Sequence, residues 1–216
     1  MNRVSRTFRS FVGAAALAAL GVSVPFSLPT AAAQSQPSEL NEAVSALRAI
    51  STMRADFTQT DRSGQTVSGV LTLKRPGRIR FQYEDSVPMV IVGNGKSLTM
   101  IDYEVNQVQR WPIKNSPLGA LLDPSRDVAR YGTLRPTGNP DVVSVEVRDT
   151  KHPEYGVITL IFVRKPSAPG GLELVSWVAL DSQNKRTTIR LANQRYGIPV
   201  SDNTFRWNDP RPRIRR

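Results

Sequence analysis

Helical spacing opens the ordered part of the chain, and strand alternation then takes over. Leu40, Ala43, Val44, Leu47 and Ile50 recur at i, i+3, i+4, i+7 and i+10, one face of an amphipathic helix. Pro37-Ser38 in front of them supplies a cap. From Met53 the period drops to two. Strands are predicted over Met53 to Thr60, Gln65 to Arg75 and Arg78 to Tyr83, the last alternating Ile79, Phe81 and Tyr83 against Arg78, Arg80 and Gln82. Met89 to Val92 and Leu98 to Tyr103 flank Asn94-Gly95, a hairpin signal, and Val105 to Trp111 pairs next. The pattern then interrupts itself. Pro117 to Leu122 reads as a short helix with Leu118, Leu121 and Leu122 on one side, Pro124 breaks it, and Asp127 to Tyr131 adds a turn. Strands resume at Val142 to Arg148, Val157 to Val163, Leu172 to Leu180, Lys185 to Tyr196 and, briefly, Thr204 to Trp207.

The plan is therefore mainly β with a small α component: about ten antiparallel strands, one N-terminal helix and one helical insert. The apolar face of one large antiparallel sheet must be covered, and those helices are the cover this sequence offers. No linker or internal repeat divides it.

The first thirty-three residues change the picture of where this chain works. Arg3, Arg6 and Arg9 precede an uncharged stretch from Phe11 to Leu28, and Ala31-Ala32-Ala33 follows. A basic start, an apolar run and a small-residue exit make a secretory signal peptide over residues 1–33. A membrane anchor needs about 20 apolar residues, and Gly21, Pro25 and Pro29 interrupt this run. There is no twin-arginine pair, so the general export route is expected, and no Cys follows for lipid attachment. Cleavage leaves a single domain at 34–216, expected to be soluble, monomeric and periplasmic, and its charge falls from +11 to +8 because the signal carries three Arg and no acid. That balance favours acidic partners or anionic surfaces; export argues against nucleic acid. The chain has no cysteine, which excludes disulfides, thiol nucleophiles and thiolate metal sites.

Chemistry is sparse. The single histidine, His152, sits in Lys151-His152-Pro153-Glu154, an exposed turn with no sign of the buried acid and serine a triad needs. Asp123, Asp127, Glu84-Asp85 and Asp181 are scattered over turns, where carboxylates usually meet water. Gly93-Asn94-Gly95-Lys96 lacks the long spacing of a phosphate loop and lies between strands. No catalytic residue, metal site or cofactor is expected. Arg75 is the one polar residue of interest. Alternation puts it on the face of Leu71 and Leu73. If that face is the covered one, its guanidinium needs acceptors, and the free carbonyls at helix C-termini are the natural ones. If not, Arg75 lies beside Pro76 at a turn in water.

Four segments, in order, carry a resemblance: Met53-Arg54-Ala55-Asp56-Phe57-Thr58-Gln59-Thr60 after the amphipathic helix; Gly69-Val70-Leu71-Thr72-Leu73-Lys74-Arg75-Pro76-Gly77-Arg78-Ile79-Arg80-Phe81; Val92-Gly93-Asn94-Gly95-Lys96-Ser97-Leu98; and Pro117-Leu118-Gly119-Ala120-Leu121-Leu122. Each is short, but their order resembles the LolA family of periplasmic carriers of outer-membrane lipoproteins. The resemblance implies an unclosed antiparallel half-barrel with a helical lid over a hydrophobic cavity. It also implies acylated lipoproteins as cargo, received from the inner-membrane transporter LolCDE and passed to the outer-membrane receptor LolB. The family's lid-holding arginine falls on Arg75, which favours the inward reading. The acyl-chain cavity is expected to be lined by Phe57, Leu71, Leu73, Ile79 and Phe81, with Leu118, Leu121 and Leu122 under the lid. Ile79 departs from the family, which often has an aromatic residue there. The basic run Arg211, Arg213, Arg215 and Arg216, broken by Pro210 and Pro212, also departs. The plain expectation for residues 210–216 is a solvated terminus; the functional one is attraction to acidic partners or lipid headgroups.

Burying an acyl chain yields about 0.8 kcal/mol per CH₂, so a long chain approaches about 12 kcal/mol and several exceed the range of non-covalent affinity. A carrier must therefore offset that gain, by a lid that opens and an empty state that fills its cavity with its own side chains. Three competing readings are a LolA-like binder or sensor of another greasy ligand, an esterase, and a structural β-protein.

Overall fold

The computed structural model describes residues 36–113, 118–122 and 128–212. The expected signal peptide lies outside them, as do Pro117, Asp123, Asp127 and Arg213, Arg215 and Arg216 of the tail.

Helix α1 (Gln36–Ala49) forms where the 3.6-residue apolar spacing was read. Its start differs from the expectation. Pro37 and Ser38 lie inside the first turn, where a proline's missing N–H costs nothing, rather than in front of it as a cap. Ala43, Ala46 and Leu47 on its inner face are 1% exposed or less; full burial of a leucine side chain is worth about 1.5–3 kcal/mol.

Six strands follow as a meander: β1 (Thr52–Thr60), β2 (Thr66–Lys74), β3 (Arg78–Tyr83), β4 (Met89–Asn94), β5 (Ser97–Asp102) and β6 (Gln107–Pro112). Two one-turn helices, α2 (Gly119–Leu122) and α3 (Val128–Tyr131), precede β7 (Gly132–Arg135), β8 (Val142–Arg148), β9 (Val157–Arg164), β10 (Leu172–Leu180) and β11 (Arg186–Tyr196). The strands form one sheet in the order β6-β5-β4-β3-β2-β1-β11-β10-β9-β8-β7. The two runs join where the first strand of one meets the last strand of the other, β1 and β11, paired antiparallel from Met53 opposite Tyr196 to Thr60 opposite Thr188. β6 and β7 are the two ends and do not pair with each other, so the half-barrel is unclosed.

Two elements were read differently from sequence. β7 was missed because it is four residues long and leaves α3 without a turn. Gly132 makes that junction possible: a Cβ there would stand 2.3 Å from the Val128 carbonyl oxygen. The segment Thr204 to Trp207, expected as a strand, enters no ladder. Asp202–Phe205 is a 3-10 turn whose preceding Ser201 side chain accepts from the Asn203 N–H. The alternation of Phe205 and Trp207 instead reflects packing on the sheet's outer face, against Val90, Val92 and Ile101. The outer face thus carries a small apolar cluster of its own, and the C-terminal segment is its cover.

Candidate functional site

The covered face of the sheet is built by alternation. Phe57 on β1, Leu71 and Leu73 on β2, and Ile79, Phe81 and Tyr83 on β3 all point the same way because Phe57 pairs with Gly69, Leu71 with Phe81 and Leu73 with Ile79. All six side chains are 3% exposed or less. Phe57 meets Phe81 and Tyr83 edge-on at 5.4 and 5.2 Å between ring centroids, a preferred aromatic geometry. Phe81 meets Trp177 of β10 at 6.3 Å. Burial pushes the Tyr83 phenol up to about 12, and its hydroxyl donates to Gln59 Oε1 at 2.8 Å. The five sheet residues singled out from sequence are therefore gathered in one place, packed against each other and against residues that sequence did not single out: Trp177, Leu174 and Phe162 from β9 and β10. Those strands read as apolar, but period two alone does not say which distant strand joins which.

The helices cap this face. Leu121 is fully buried and Leu122 is 5% exposed, while Leu118 is half-buried against the same cluster. α1 packs beside them. At its N-terminal half, Arg164 from the end of β9 donates to Glu42 Oε2 and to Glu39 Oε1, both at 2.9 Å. In its middle, the turn at Gly170 approaches so closely that a Cβ there would stand 2.7 Å from the Ala46 Cα.

Arg75 follows β2 directly. It is half-buried rather than fully buried, and its guanidinium is directed at helix ends. Nε donates to the carbonyls of Leu47 and Ile50 at 3.2 and 3.1 Å, and Nη2 to Leu47 at 2.6 Å. Nη1 donates to Leu122 at 2.9 Å and Nη2 to Leu121 at 3.2 Å. Leu47 is among the last carbonyls of α1, and Leu121 and Leu122 end α2; these are the acceptors a helix leaves without an internal partner. One side chain thus ties the C-termini of two separate covering helices to the sheet, and a cation is the favoured charge there. The backbone N–H of Arg75 fixes the same junction by donating to Ser51 at 2.9 Å.

The other candidates fall elsewhere. His152 is exposed, 3.0 Å from Glu154 Oε1 and stacked on Tyr155. Asn94-Gly95 turns the β4–β5 hairpin, its Asn94 Oδ1 accepting from the Lys96 and Ser97 N–H groups. Among the described residues no group of three His, Asp or Glu could hold a metal, and no helix is long and apolar enough to cross a membrane. Arg211 is exposed and pairs with Asp209 at 2.6 Å, so one charge of the expected basic run is already matched.

An unclosed antiparallel sheet whose apolar face is capped by helices, with an arginine joining the cap to the sheet, defines the lidded half-barrel class. Residues 48–208 match the family described as outer membrane lipoprotein carrier protein LolA, and the chain belongs to that family. A protein of Dechloromonas aromatica named outer-membrane lipoprotein carrier protein is 26% identical over 168 residues, covering 74% of this chain and 78% of its own. An uncharacterised protein of Rickettsia prowazekii is 34% identical over 88 residues, 41% of each chain. Among solved structures, a DUF1329 family protein from Desulfovibrio piger superposes with a TM-score of 0.52 at 13% identity, covering 79% of this chain and 97% of that one, a likeness of fold alone.

Proposed function

We propose that this chain is a periplasmic carrier that shields the acyl chains of lipoproteins between the two membranes. In this reading residues 1–33 are removed on export and residues 34–216 act as one carrier domain. Lipoproteins are received from LolCDE or its equivalent and delivered to LolB or an equivalent outer-membrane receptor, with no catalytic step. The acyl chains enter between the sheet and the lid, against Phe57, Leu71, Leu73, Ile79 and Phe81 below and Leu118, Leu121 and Leu122 above. Arg75 is the latch.

The observation that carries the reading is the five-bond tie from Arg75 to Leu47, Ile50, Leu121 and Leu122 in a chain of the LolA family. A carrier needs a closed state of its own, held strongly enough to oppose the large gain from burying acyl chains and loosely enough to exchange. Polar bonds at two helix ends, over an apolar face that needs no cargo to stay dry, meet both requirements. The test is release. Spheroplasts making a labelled outer-membrane lipoprotein should discharge it into the medium when the mature chain is added, in a soluble complex with it. Retention of the lipoprotein in the membrane at every carrier concentration would sink the proposal.

A further inference from the structure

The outer face of the sheet carries a row of cations. Strand register lines up Arg110 of β6 with Thr99, Val92 and Arg80 of β5, β4 and β3, and Arg80 in turn with Thr72 and Arg54 of β2 and β1. The row ends on β11, where Arg54 stands directly opposite Arg195. At about 4.8 Å per strand it runs for about 29 Å. Like charges directly opposite on one face are destabilising, yet Arg54 and Arg195 are both exposed and have no carboxylate partner among the described residues. Arg190 is likewise exposed on the same face of β11. Of the acids there, Asp202 is paired with Lys74 and Arg78, while Glu84 and Asp56 accept from the neutral Ser68 hydroxyl and Asn193 amide and keep their charge, so cations outnumber uncompensated acids on this face. The C-terminal segment takes up Arg80 through the Thr204 and Arg206 carbonyls. It leaves both ends of the row open. Two clefts lie along it, of about 410 Å³ beside Arg110, Phe205 and Trp207 and of about 280 Å³ between Arg54 and Arg195.

We infer that this outer face is a docking surface for an anionic lipid bilayer. The four arginines stand three, two and one strands apart across the whole width of the row, an uneven spread that a fluid plane of mobile headgroup charges can match and the fixed outline of one acidic protein matches less readily. Trp207 beside the cleft is the residue type that settles at a membrane–water boundary. Cations held near an anionic leaflet each contribute severalfold to binding, and the attraction falls off within a Debye length. Because the row lies on the face opposite the helices, a carrier lying on it keeps its lid turned away from the bilayer. The inference stands on register and exposure and does not depend on the identity of the cargo.

The experiment is sedimentation of the mature chain with phosphatidylglycerol-containing and with pure phosphatidylcholine vesicles at low and physiological salt. The parent should bind the anionic vesicles only, and less as salt rises. Arg54→Glu with Arg195→Glu should weaken that binding by about tenfold or more, while Arg54→Lys with Arg195→Lys should keep it. Both pairs are exposed, so the melting temperature should stay near the parent's; if the Glu pair fails to fold, Arg110→Glu is read in its place. Equal binding to both vesicle types, or undiminished binding of the charge-reversed variants, overturns the inference. So does capture of a polyglutamate peptide without any vesicle binding, which would assign the face to an acidic protein.

Discussion

Replacing Arg75 by leucine keeps most of the side chain's volume and removes every donor it offers to the lid. Of its five bonds to the described residues, three go to the C-terminal end of α1, at Leu47 and at Ile50 just beyond it, and two go to α2, at Leu121 and Leu122. α1 has other fastenings, the Arg164 bonds to Glu39 and Glu42 among them, so the α2 bonds are the ones whose loss is felt. A hydrogen bond from a charged donor contributes about 1.5–3 kcal/mol. Arg75 is only half-buried and one guanidinium serves all four carbonyls, so the lower figure applies. Two bonds then give about 3 kcal/mol, roughly a hundredfold in the ratio of closed to open lid. The sheet should remain folded, since Leu71, Leu73 and Ile79 keep their packing. Hydrogen exchange at the Leu121 and Leu122 amides, which both donate to the Leu118 carbonyl at 3.1 Å, should accelerate by up to that factor. In a two-step transfer assay with LolCDE and LolB, loading should persist and delivery should fail if, as proposed above, release draws on free energy regained when the lid closes. Parent-like exchange and parent-like delivery together would refute the latch.

Three further outcomes are expected. Leu121→Glu should abolish uptake of acylated cargo while the melting temperature stays within a few degrees of the parent's, because a lid can swing its carboxylate into water; the same change at Leu71, inside β2, should unfold the sheet, and calorimetry of both variants separates lid from ordinary core. Protein recovered from the periplasm should begin at or within a few residues of Gln34 by N-terminal sequencing; a full-length membrane-embedded product would exclude export by this route. Hydrogen bonds from Arg78 and Lys74 hold the Asp202 carboxyl down at about 2 from the ordinary 3.8. A depressed carboxyl stabilises the C-terminal segment above the ordinary value and loses that contribution as pH falls from 3.8 through about 2. The Phe205 and Trp207 NMR signals should therefore stay constant from neutral pH to about 4 and shift only below it.

Much of this fold was legible because its strands obey one rule. Where a single face is buried, alternation identifies both the strand and its inward residues, as in Arg78–Tyr83 and Val142–Arg148, whose bounds match the observed strands. The rule failed where it did not apply. Gly132–Arg135 is too short to show a period, and Phe205 and Trp207 alternate without a strand because they pack on a second, outer cluster. The site was legible in the same unequal way. Leu71, Leu73 and Arg75 share a face by counting in twos, and an arginine on that face needs carbonyls. That these would be the ends of α1 and α2 together is a fact of tertiary packing. The partnership of Arg164 with Glu39 and Glu42 spans more than 120 residues of sequence separation, and no local pattern announces it. The outer row of arginines was hidden for the same reason: Arg54 and Arg195 become neighbours only through the β1–β11 pairing.

The claim that this lidded face carries the acyl chains of lipoproteins is tested most directly by native mass spectrometry of the mature chain purified from periplasm. A complex with lipoproteins bearing their acyl-modified N-termini is expected, as is its loss when the cargo's lipidated cysteine is replaced. A chain that carries only free fatty acid or phospholipid, or that binds the same polypeptides whether or not they are acylated, would contradict it.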